Sequence, residues 1–203
     1  MTRQITLGIL LSGRGSNFGA IAENVLTGKL PCEIGCVISN VADAPGLERA
    51  REWGLKAYHL DGRGKERVAF DAEVAARLRS DNVDYVCLAG YMRLLSAQFV
   101  EAFPNRILNI HPSLLPAFPG LQAQRQALQY GVRYSGCTVH FVDEGLDTGP
   151  IILQAVVPVL AGDDEESLSA RILAEEHRIY SEAIRLVCEE RIRVEGRRVR
   201  ILG

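Results

Sequence analysis

The sequence predicts an α/β protein with a doubly wound, mainly parallel sheet, and three observations lead to that prediction. First, continuous apolar strands such as Ile5–Leu11 and Val83–Ala89 alternate with amphipathic helices through the first half of the chain. Second, the strand Arg106–Ile110 runs into polar residues and prolines, as strands do where open sheets bind ligands. Third, the second half carries strands of period two, one long helix and a terminal hairpin. We therefore expect antiparallel strands there, within a single domain of residues 1–203.

Composition narrows the class of protein. The apolar fraction of 47% and charged fraction of 24% are ordinary for a soluble globular chain. The net charge of -2 predicts no nucleic-acid partner and no anionic membrane surface. No apolar run approaches the ~20 residues that a membrane span requires. Because Met1–Gln4 leads into a strand with no signal segment, we expect a cytoplasmic protein without membrane partners.

The cysteines predict no metal centre. Their number is five, which is odd, and none has the spacing of a metal site. Each falls in an apolar segment. Buried free thiols in a reducing compartment explain them.

The first strand runs into a glycine-rich turn, Ser12–Asn17, and then a helix from about Phe18 to Leu26. Free backbone N–H groups at a helix start form an anion site. A Walker loop would need its Gly-Lys-Ser/Thr where Phe18 stands. A dinucleotide fingerprint would need a glycine there and an acidic residue after the second strand, which ends instead in Ser39 and Asn40. The turn therefore suits a single phosphate, and the alternative is a tight turn with a helix cap.

The next elements complete the first half of the predicted sheet. We expect a helix over Ala44–Trp53, a strand over Ala57–Leu60 with His59 at its end, and a helix from Lys65 to about Arg79. The apolar stripe of that last helix is expected at Val68, Ala72, Ala75, Ala76 and Leu78. The apolar loop Gly90–Leu95 could wall a pocket for a flat heterocycle, or it could simply pack against a helix.

The strand Arg106–Ile110 carries the strongest candidate for chemistry. Pro112 prevents it from continuing, because proline lacks the N–H that a sheet needs. Asn109 and His111 are two residues apart, so they point to the same face at the carboxyl end of the strand. The alternative is a strand terminus with a solvated histidine and an asparagine that caps the turn.

The remaining elements are read from periodicity. A rigid loop, Pro116–Gly120, precedes a helix over Leu121–Tyr130. The strand Gly136–Val142 alternates, which predicts one buried and one half-open face. The polar loop Asp143–Pro150 follows, and then a strand over Ile151–Val157, expected antiparallel to its predecessor.

A long helix opens at Gly162–Asp164 and reaches about Glu190, with a core face of Leu168, Ile172, Ile179, Ala183 and Leu186. The tail Arg191–Leu202 alternates around Glu195 and Gly196, as a β-hairpin does. Five arginines stud it, but no aromatic residues interleave with them, so we interpret them as protection of a sheet edge rather than an RNA surface.

Four segments, in this order, resemble those of the folate-dependent phosphoribosylglycinamide formyltransferase family, the glycinamide ribonucleotide transformylases. They are Ser12–Asn17, Ala89–Leu95, Asn109–Pro116 and Thr138–Pro150. The resemblance covers essentially the whole chain. It implies a Rossmann-like formyltransferase fold, with a nucleotide-phosphate half over 1–100 and a catalytic and folate-binding half over 101–203.

The resemblance also implies an activity and a set of site residues. Such enzymes transfer the formyl group of 10-formyltetrahydrofolate, a co-substrate, to the primary amine of glycinamide ribonucleotide in purine biosynthesis. Matching catalytic positions are Asn109, His111 and Asp147. Matching substrate positions are Gly15, Ser16, Asn17 and Glu176, and matching folate positions are Arg67, Met92, Arg93, Leu94, Leu95, Asp143 and Glu144. No metal is implied.

The proposed chemistry explains why these three catalytic residue types are needed. An amine that attacks a formamide forms a tetrahedral intermediate with an oxyanion, to which Asn109 and protonated His111 can donate. Asp147 favours the imidazolium and can order a water that carries the proton between nitrogens. No serine or cysteine stands beside a base, so a covalent enzyme intermediate is not expected.

Two departures and three rivals complete the prediction. Gln122 and Gln124 stand where family members often carry His, and Ala117 stands where some carry Lys. These departures put loop polarity and substrate affinity in doubt, but not the three catalytic residues. Methionyl-tRNA formyltransferase and formyltetrahydrofolate hydrolase use the same catalytic segment, but their extra domains do not fit in this chain. A non-enzymatic nucleotide-binding protein would need none of the catalytic residues. The expected assembly is a monomer or a homodimer.

Overall fold

The computed structural model describes residues 4–203. Most of the segment Met1–Gln4, for which no signal segment is predicted, lies outside the described residues. The strands are β1 Ile5–Leu11, β2 Cys32–Ser39, β3 Ala57–His59, β4 Tyr85–Leu88, β5 Ile107–His111, β6 Tyr134–Phe141, β7 Ile151–Pro158, β8 Ile192–Glu195 and β9 Arg198–Ile201. The helices are α1 Ser16–Leu26, α2 Pro45–Glu52, α3 Arg67–Ser80, α4 Ala97–Ala102, α5 Ala123–Tyr130 and α6 Glu165–Cys188. The chain forms two compact units, one ending at Leu108 and the other beginning at Asn109.

The first unit contains the parallel part of the sheet, in the order β3-β2-β1-β4. β1 pairs in parallel with β2 and with β4, so Ile9 lies between Val37 and Cys87. The side chains of β1 are buried on both faces from Thr6 to Leu11, as its unbroken apolar run predicts. Because β1 and β4 are parallel neighbours, the loops that follow them lie side by side at one edge of this unit.

Helix α3 forms where it is predicted, but it buries a different face. Phe70, Val74 and Leu78 are fully buried together with Asp71 and Ala75. Val68, Ala72 and Ala76 of the predicted stripe are exposed, so that part of the prediction is wrong. Val68 and the alanines have the spacing of an apolar stripe on one side of the helix. The other side is buried instead, because Phe70 has a much larger apolar surface and faces the core.

Helix α4 is not predicted by the periodicity, because a helix of six residues is too short to show one. Ser96 caps it by accepting the N–H of Phe99 at 3.3 Å. The backbone N–H of Ser96 donates in turn to Asp71 at 2.6 Å. This buried carboxylate therefore fixes the point at which the loop after β4 enters α4.

The second unit has the strand order β5-β6-β7-β9-β8. β6 and β7 are antiparallel, which confirms that prediction. The terminal hairpin is also confirmed: β8 and β9 pair from Ile192↔Ile201 to Glu195↔Arg198, so Gly196 and Arg197 form its turn. β9 lies beside β7 in parallel, with Ile151 opposite Arg198.

Strand β6 corrects a prediction. Its alternation suggests one half-open face, but every residue from Ser135 to Phe141 is buried. The polar residues are accommodated by hydrogen bonds instead of water: the Thr138 hydroxyl donates to the carbonyl of Ser113 at 2.7 Å and accepts the N–H of Leu115 at 3.0 Å. Helix α6 packs against β6, and the segment after β5 also contacts this strand through Thr138 and Gly136.

Helix α6 confirms the predicted core face, since Leu168, Ile172, Ile179, Ala183 and Leu186 are all buried. Its start is a capping box in which Asp164 accepts the N–H of Ser167 at 2.8 Å and Ser167 accepts that of Asp164 at 3.0 Å. Glu165 and Glu166 add the predicted negative charge to the first turn.

All five cysteines are free thiols. Four are buried, as predicted, while Cys188 at the end of α6 is only half-buried. Across residues 4–203, no helix combines the length and apolar character needed to cross a membrane. The same residues hold no cluster of three or more His, Cys, Asp or Glu side chains suited to a metal ion.

Candidate active site

The carboxyl end of β5 places Asn109 and His111 on one face, as their spacing predicts. The carboxamide nitrogen of Asn109 lies 3.2 Å from Nε2 of His140, on the neighbouring strand β6. His111, which is buried, lies 3.4 Å from the carboxylate of Asp147 through Nδ1. The second unit thus gathers Asn109, His111 and Asp147 into one cluster, with His140 as a fourth member.

Both ring nitrogens of His111 face oxygen acceptors. Nδ1 faces Asp147, and Nε2 lies 2.9 Å from the carbonyl oxygen of Phe118. Neutral imidazole has one N–H and can satisfy only one of these acceptors, whereas the imidazolium can donate to both.

Asp147 is held at the centre of the cluster. Its Oδ2 accepts the backbone N–H of Gly120 at 2.8 Å, and its Oδ1 lies 3.7 Å from Nε2 of His140. The residue has a φ of 54°, in the left-handed region that non-glycine residues rarely occupy. Such a conformation persists where the surroundings over-determine it.

His140 is a neutral partner of Asn109. Its Nδ1 lies 2.8 Å from the carbonyl oxygen of Phe141, so we assign the proton to Nδ1. Nε2 is then an acceptor and receives an N–H from Asn109. Burial lowers the pKa of His140 below its usual value, which keeps the ring uncharged at neutral pH. The carboxamide of Asn109 is thereby fixed with its nitrogen toward β6.

The loop Asp143–Gly149, which we call the aspartate loop, carries Asp147. Asp143 closes its first part by accepting the N–H of Gly145 at 3.0 Å and the hydroxyl of Thr148 at 2.7 Å. Gly149 admits no side chain, because a Cβ there would overlap the carbonyl oxygen of Phe141. The loop is therefore shaped by its own polar side chains and by close packing at its end.

In the first unit, the glycine-rich turn forms the start of α1, as predicted. Gly15 has a φ of 63° and is the residue before the helix, whose first residues are Ser16 and Asn17. A Cβ on Gly15 would lie 3.2 Å from the Cα of Gly46 and 3.1 Å from Leu11. The first turn of an α-helix presents backbone N–H groups at the positive end of the helix dipole, which is what anion binding requires.

The turn is tied to the loop after β4 through Ser12. Its backbone N–H donates to the carbonyl of Gly90 at 3.0 Å, and its hydroxyl accepts the N–H of Met92 at 2.8 Å. The same hydroxyl donates to Asn40 at 2.6 Å. One serine thus connects the residues that follow β1, β2 and β4.

The predicted folate positions of the first unit divide into exposed and packed side chains. Met92 and Leu94 are 68% and 62% exposed, so two large apolar side chains face solvent on the loop after β4. Arg93 instead turns inward, with its guanidinium 4.5 Å from the centre of the Phe70 ring. Arg67 is exposed at the first residue of α3. The open surface of the loop is therefore apolar.

Glu176 lies on the buried face of α6, in the second unit. Burial of the Cys137 thiol, and after it the negative charge of Glu176, raise the pKa of that thiol to about 12. Only 7% of Glu176 is exposed, so this residue is shielded from open solvent. Glu144, in contrast, is exposed on the aspartate loop.

Comparison with known proteins places this geometry in a family. The family described as formyl transferase matches residues 6–184. The phosphoribosylglycinamide formyltransferase of Escherichia coli (strain K12) is 46% identical over 92% of this chain and 88% of its own length. The chain belongs to the formyl transferase family. This assignment confirms the resemblance drawn from the four sequence segments.

Two further relatives differ in the share of their own length that this chain covers. The crystal structure of glycinamide ribonucleotide transformylase 1 from Symbiobacterium toebii superposes with a TM-score of 0.98 at 60% identity, covering 100% of this chain and 96% of that one. The trifunctional purine biosynthetic protein adenosine-3 of Drosophila pseudoobscura pseudoobscura is 46% identical over 91% of this chain. This chain spans only 14% of that longer protein.

The sequence pattern of this formyl transferase gives no role to His140. This residue is the penultimate one of β6, directly after the point at which β6 shifts register against β7, and such irregularities re-aim side chains. Ser12 and Asn40 were also missed as a pair. They stand at the ends of β1 and β2, but their hydrogen bond depends on the sheet being assembled.

Proposed function

We propose that this chain transfers the formyl group of 10-formyltetrahydrofolate to the primary amine of glycinamide ribonucleotide, in purine biosynthesis. The observation that carries the proposal is the cluster of Asn109, His111 and Asp147 at the end of β5, with both His111 nitrogens facing acceptors. The high identity to phosphoribosylglycinamide formyltransferases supports the choice of substrates.

Asn109 stabilises the oxyanion. One N–H of its carboxamide is engaged by His140, which leaves the second N–H of the same nitrogen for the formyl oxygen. As the amine attacks, that oxygen becomes negative and the hydrogen bond strengthens. His140 adds nothing to the charge, but it prevents the carboxamide from presenting its oxygen instead.

His111 and Asp147 manage charge and protons. The imidazolium places a positive charge beside the developing oxyanion, and the carboxylate of Asp147 faces Nδ1 of the ring. A new C–N bond forms between the amine and the formyl carbon, and the bond from that carbon to the folate nitrogen breaks. The proton lost by the amine reaches the folate nitrogen through a water ordered by Asp147, so the enzyme returns unchanged.

The nucleotide phosphate is held by Gly15, Ser16 and Asn17, through first-turn N–H groups and the positive end of the α1 dipole. Gly15 lets the backbone approach the anion because it carries no side chain. Glu176 contacts the nucleotide elsewhere, as the family resemblance implies.

The folate contacts Met92, Arg93, Leu94 and Leu95 together with Arg67 and the loop residues Asp143 and Glu144. Because the Arg93 guanidinium packs on Phe70, this arginine contributes through its main chain, and the apolar surface comes from Met92 and Leu94. Asp143 acts by shaping the aspartate loop, since its Oδ1 is engaged within that loop.

The test is an assay of formyl transfer. The protein is incubated with 10-formyltetrahydrofolate, with and without glycinamide ribonucleotide, while folate absorbance and formylated nucleotide are measured together. We expect equal amounts of both products, and only when the nucleotide is present. Deformylation at the same rate without nucleotide would identify a hydrolase, and nucleotide binding without turnover would identify a binding protein; either result ends the proposal.

The setting of the reaction is also part of the proposal. We infer small-molecule substrates only, a monomer or homodimer, and a cytoplasmic location supported by five free thiols. Light scattering on a size-exclusion column tests the assembly, and cell fractionation tests the location.

A further inference from the structure

We propose that Arg197, at the tip of the C-terminal hairpin, is a positioning residue that holds the aspartate loop and through it Asp147. The inference rests on the proposed function for its catalytic consequence. It also gives a role to the arginine-rich tail, which the reaction itself does not use.

The contact that carries the proposal joins the hairpin turn to the aspartate loop. Nη2 of Arg197 donates to the carbonyl oxygen of Thr148 at 2.9 Å. Thr148 directly follows Asp147, so this bond acts on the peptide unit next to the catalytic carboxylate. A charged donor makes a stronger bond than a neutral one.

Thr148 is held from two sides. Its hydroxyl donates to Asp143, on the early part of the loop, and its carbonyl accepts from Arg197, outside the loop. Asp147 lies between these anchors with its unusual φ of 54°. Removing one anchor widens the range of backbone conformations open to Asp147, and the left-handed conformation is the first to lose population.

The topology explains why a residue so late in the sequence reaches this loop. β9 runs parallel to β7 with Arg198 opposite Ile151, the first residue after the loop and Pro150. The turn Gly196–Arg197 therefore lies beside the point where the loop enters β7. The hairpin acts as a brace whose tip is Arg197.

Two other arginines of the tail make contacts within the hairpin segment itself. Arg200 pairs with Glu195 at 2.8 Å, and Arg191 donates to the carbonyl of Leu202 at 3.2 Å. Arg193 is exposed on β8, and among residues 4–203 no hydrogen bond or ion pair joins its side chain to the loop. Arg193 is therefore a matched control in the same hairpin.

The catalytic test compares Arg197→Leu, Arg197→Lys and Arg193→Leu in the full chain. We expect Arg197→Leu to lower kcat about fivefold, with KM for the nucleotide within twofold of wild type, since a charged hydrogen bond at an exposed site is worth little more than this. Arg197→Lys, which keeps a charged donor, should recover at least half of the loss. Arg193→Leu should match wild type, and all three should unfold at the same urea concentration.

A second measurement does not depend on turnover. The N–H of Gly120 donates to Asp147, so its hydrogen exchange reports whether the carboxylate stays in place. We expect that amide to exchange several-fold faster in Arg197→Leu than in Arg193→Leu. If wild type fails to transfer formyl groups while this difference is seen, the proposed function fails and the brace remains. Equal exchange and equal kcat in the two variants would overturn the brace.

Discussion

Two loops carry the proposed chemistry, and they are shaped in opposite ways. The glycine-rich turn Ser12–Asn17 takes its form from the backbone: Gly15 has a positive φ and lies so near Gly46 that a Cβ would be only 3.2 Å from its Cα. The aspartate loop takes its form from side chains, because Asp143, Thr148 and Arg197 bond across it. A binding turn that presents N–H groups needs little more than the right backbone, whereas a single carboxylate must be aimed.

This difference predicts how each loop fails. The aspartate loop should be broken by exchanging one polar atom for another, with the fold intact. The glycine-rich turn should tolerate side-chain changes except where an added carbon has no space.

Asp147→Asn should give the largest effect, a loss in kcat on the order of a thousandfold at neutral pH. The carboxamide lacks the negative charge that faces Nδ1 of His111, and its nitrogen would face the histidines instead of an oxygen. Steady-state kinetics beside wild type measure the loss, with circular dichroism as the folding control; a wild-type kcat would remove Asp147 from the mechanism.

Asn109→Ala should lower kcat roughly a hundredfold, about 3 kcal/mol of transition-state stabilisation, because an oxyanion donor is lost. Steady-state kinetics measure it. Gln98→Ala, which removes an exposed carboxamide on α4, serves as the control and should leave kcat unchanged. Similar kinetics in both variants would mean that Asn109 does not touch the oxyanion.

Gly15→Ala should weaken nucleotide binding about tenfold, because an L-residue in the left-handed region costs 1–2 kcal/mol, roughly, before any contact is counted. Binding of the folate should change by less than twofold. Gly13→Ala is the matched control in the same turn, since a Cβ on Gly13 meets nothing within 4 Å. Titration calorimetry with each ligand separates the outcomes, and equal losses for both ligands would show that the turn is only structural.

His140→Asn should give the smallest effect, which is a change in how the free energy of unfolding depends on pH. Burial lowers the folded-state pKa of His140, so the unfolded chain takes up the proton first as pH falls. The wild-type free energy of unfolding should therefore be constant above about pH 6.5 and decrease below it, until the lowered folded pKa is passed.

The variant should remove up to about 1.4 kcal/mol per pH unit of that decrease. His177, whose pKa burial also lowers, supplies the rest and provides the control through His177→Asn. Urea unfolding at a series of pH values measures both. An unchanged slope in His140→Asn would show that folding does not lower the pKa of His140.

The same contrast explains what could be predicted from the sequence. Glycines, prolines and apolar runs act locally, so the turn at Gly15, the end of β5 at Pro112 and the core face of α6 could all be read directly. The spacing of Asn109 and His111 also placed both on one face. The bonds that aim Asp147 could not be read, because Gly120 and Arg197 are far from it in sequence.

Burial of alternating strands was the other limit. β6 alternates in polarity, but Thr138 and His140 satisfy their polar groups internally, so both faces are buried. The face of α3 was missed for a related reason: Asp71 is buried because the N–H of Ser96 meets it, and a sequence pattern counts that carboxylate as exposed.

Ser12 has a consequence for the order in which ligands act. Its hydroxyl joins the loop proposed to contact folate to the end of β2, and its backbone leads directly into the proposed phosphate turn. A ligand bound at one of these two places fixes Ser12. A ligand that binds at the other place then has less conformational freedom to remove. The two affinities are then linked, and linkage is reciprocal: the factor by which bound nucleotide tightens folate equals the factor by which bound folate tightens nucleotide.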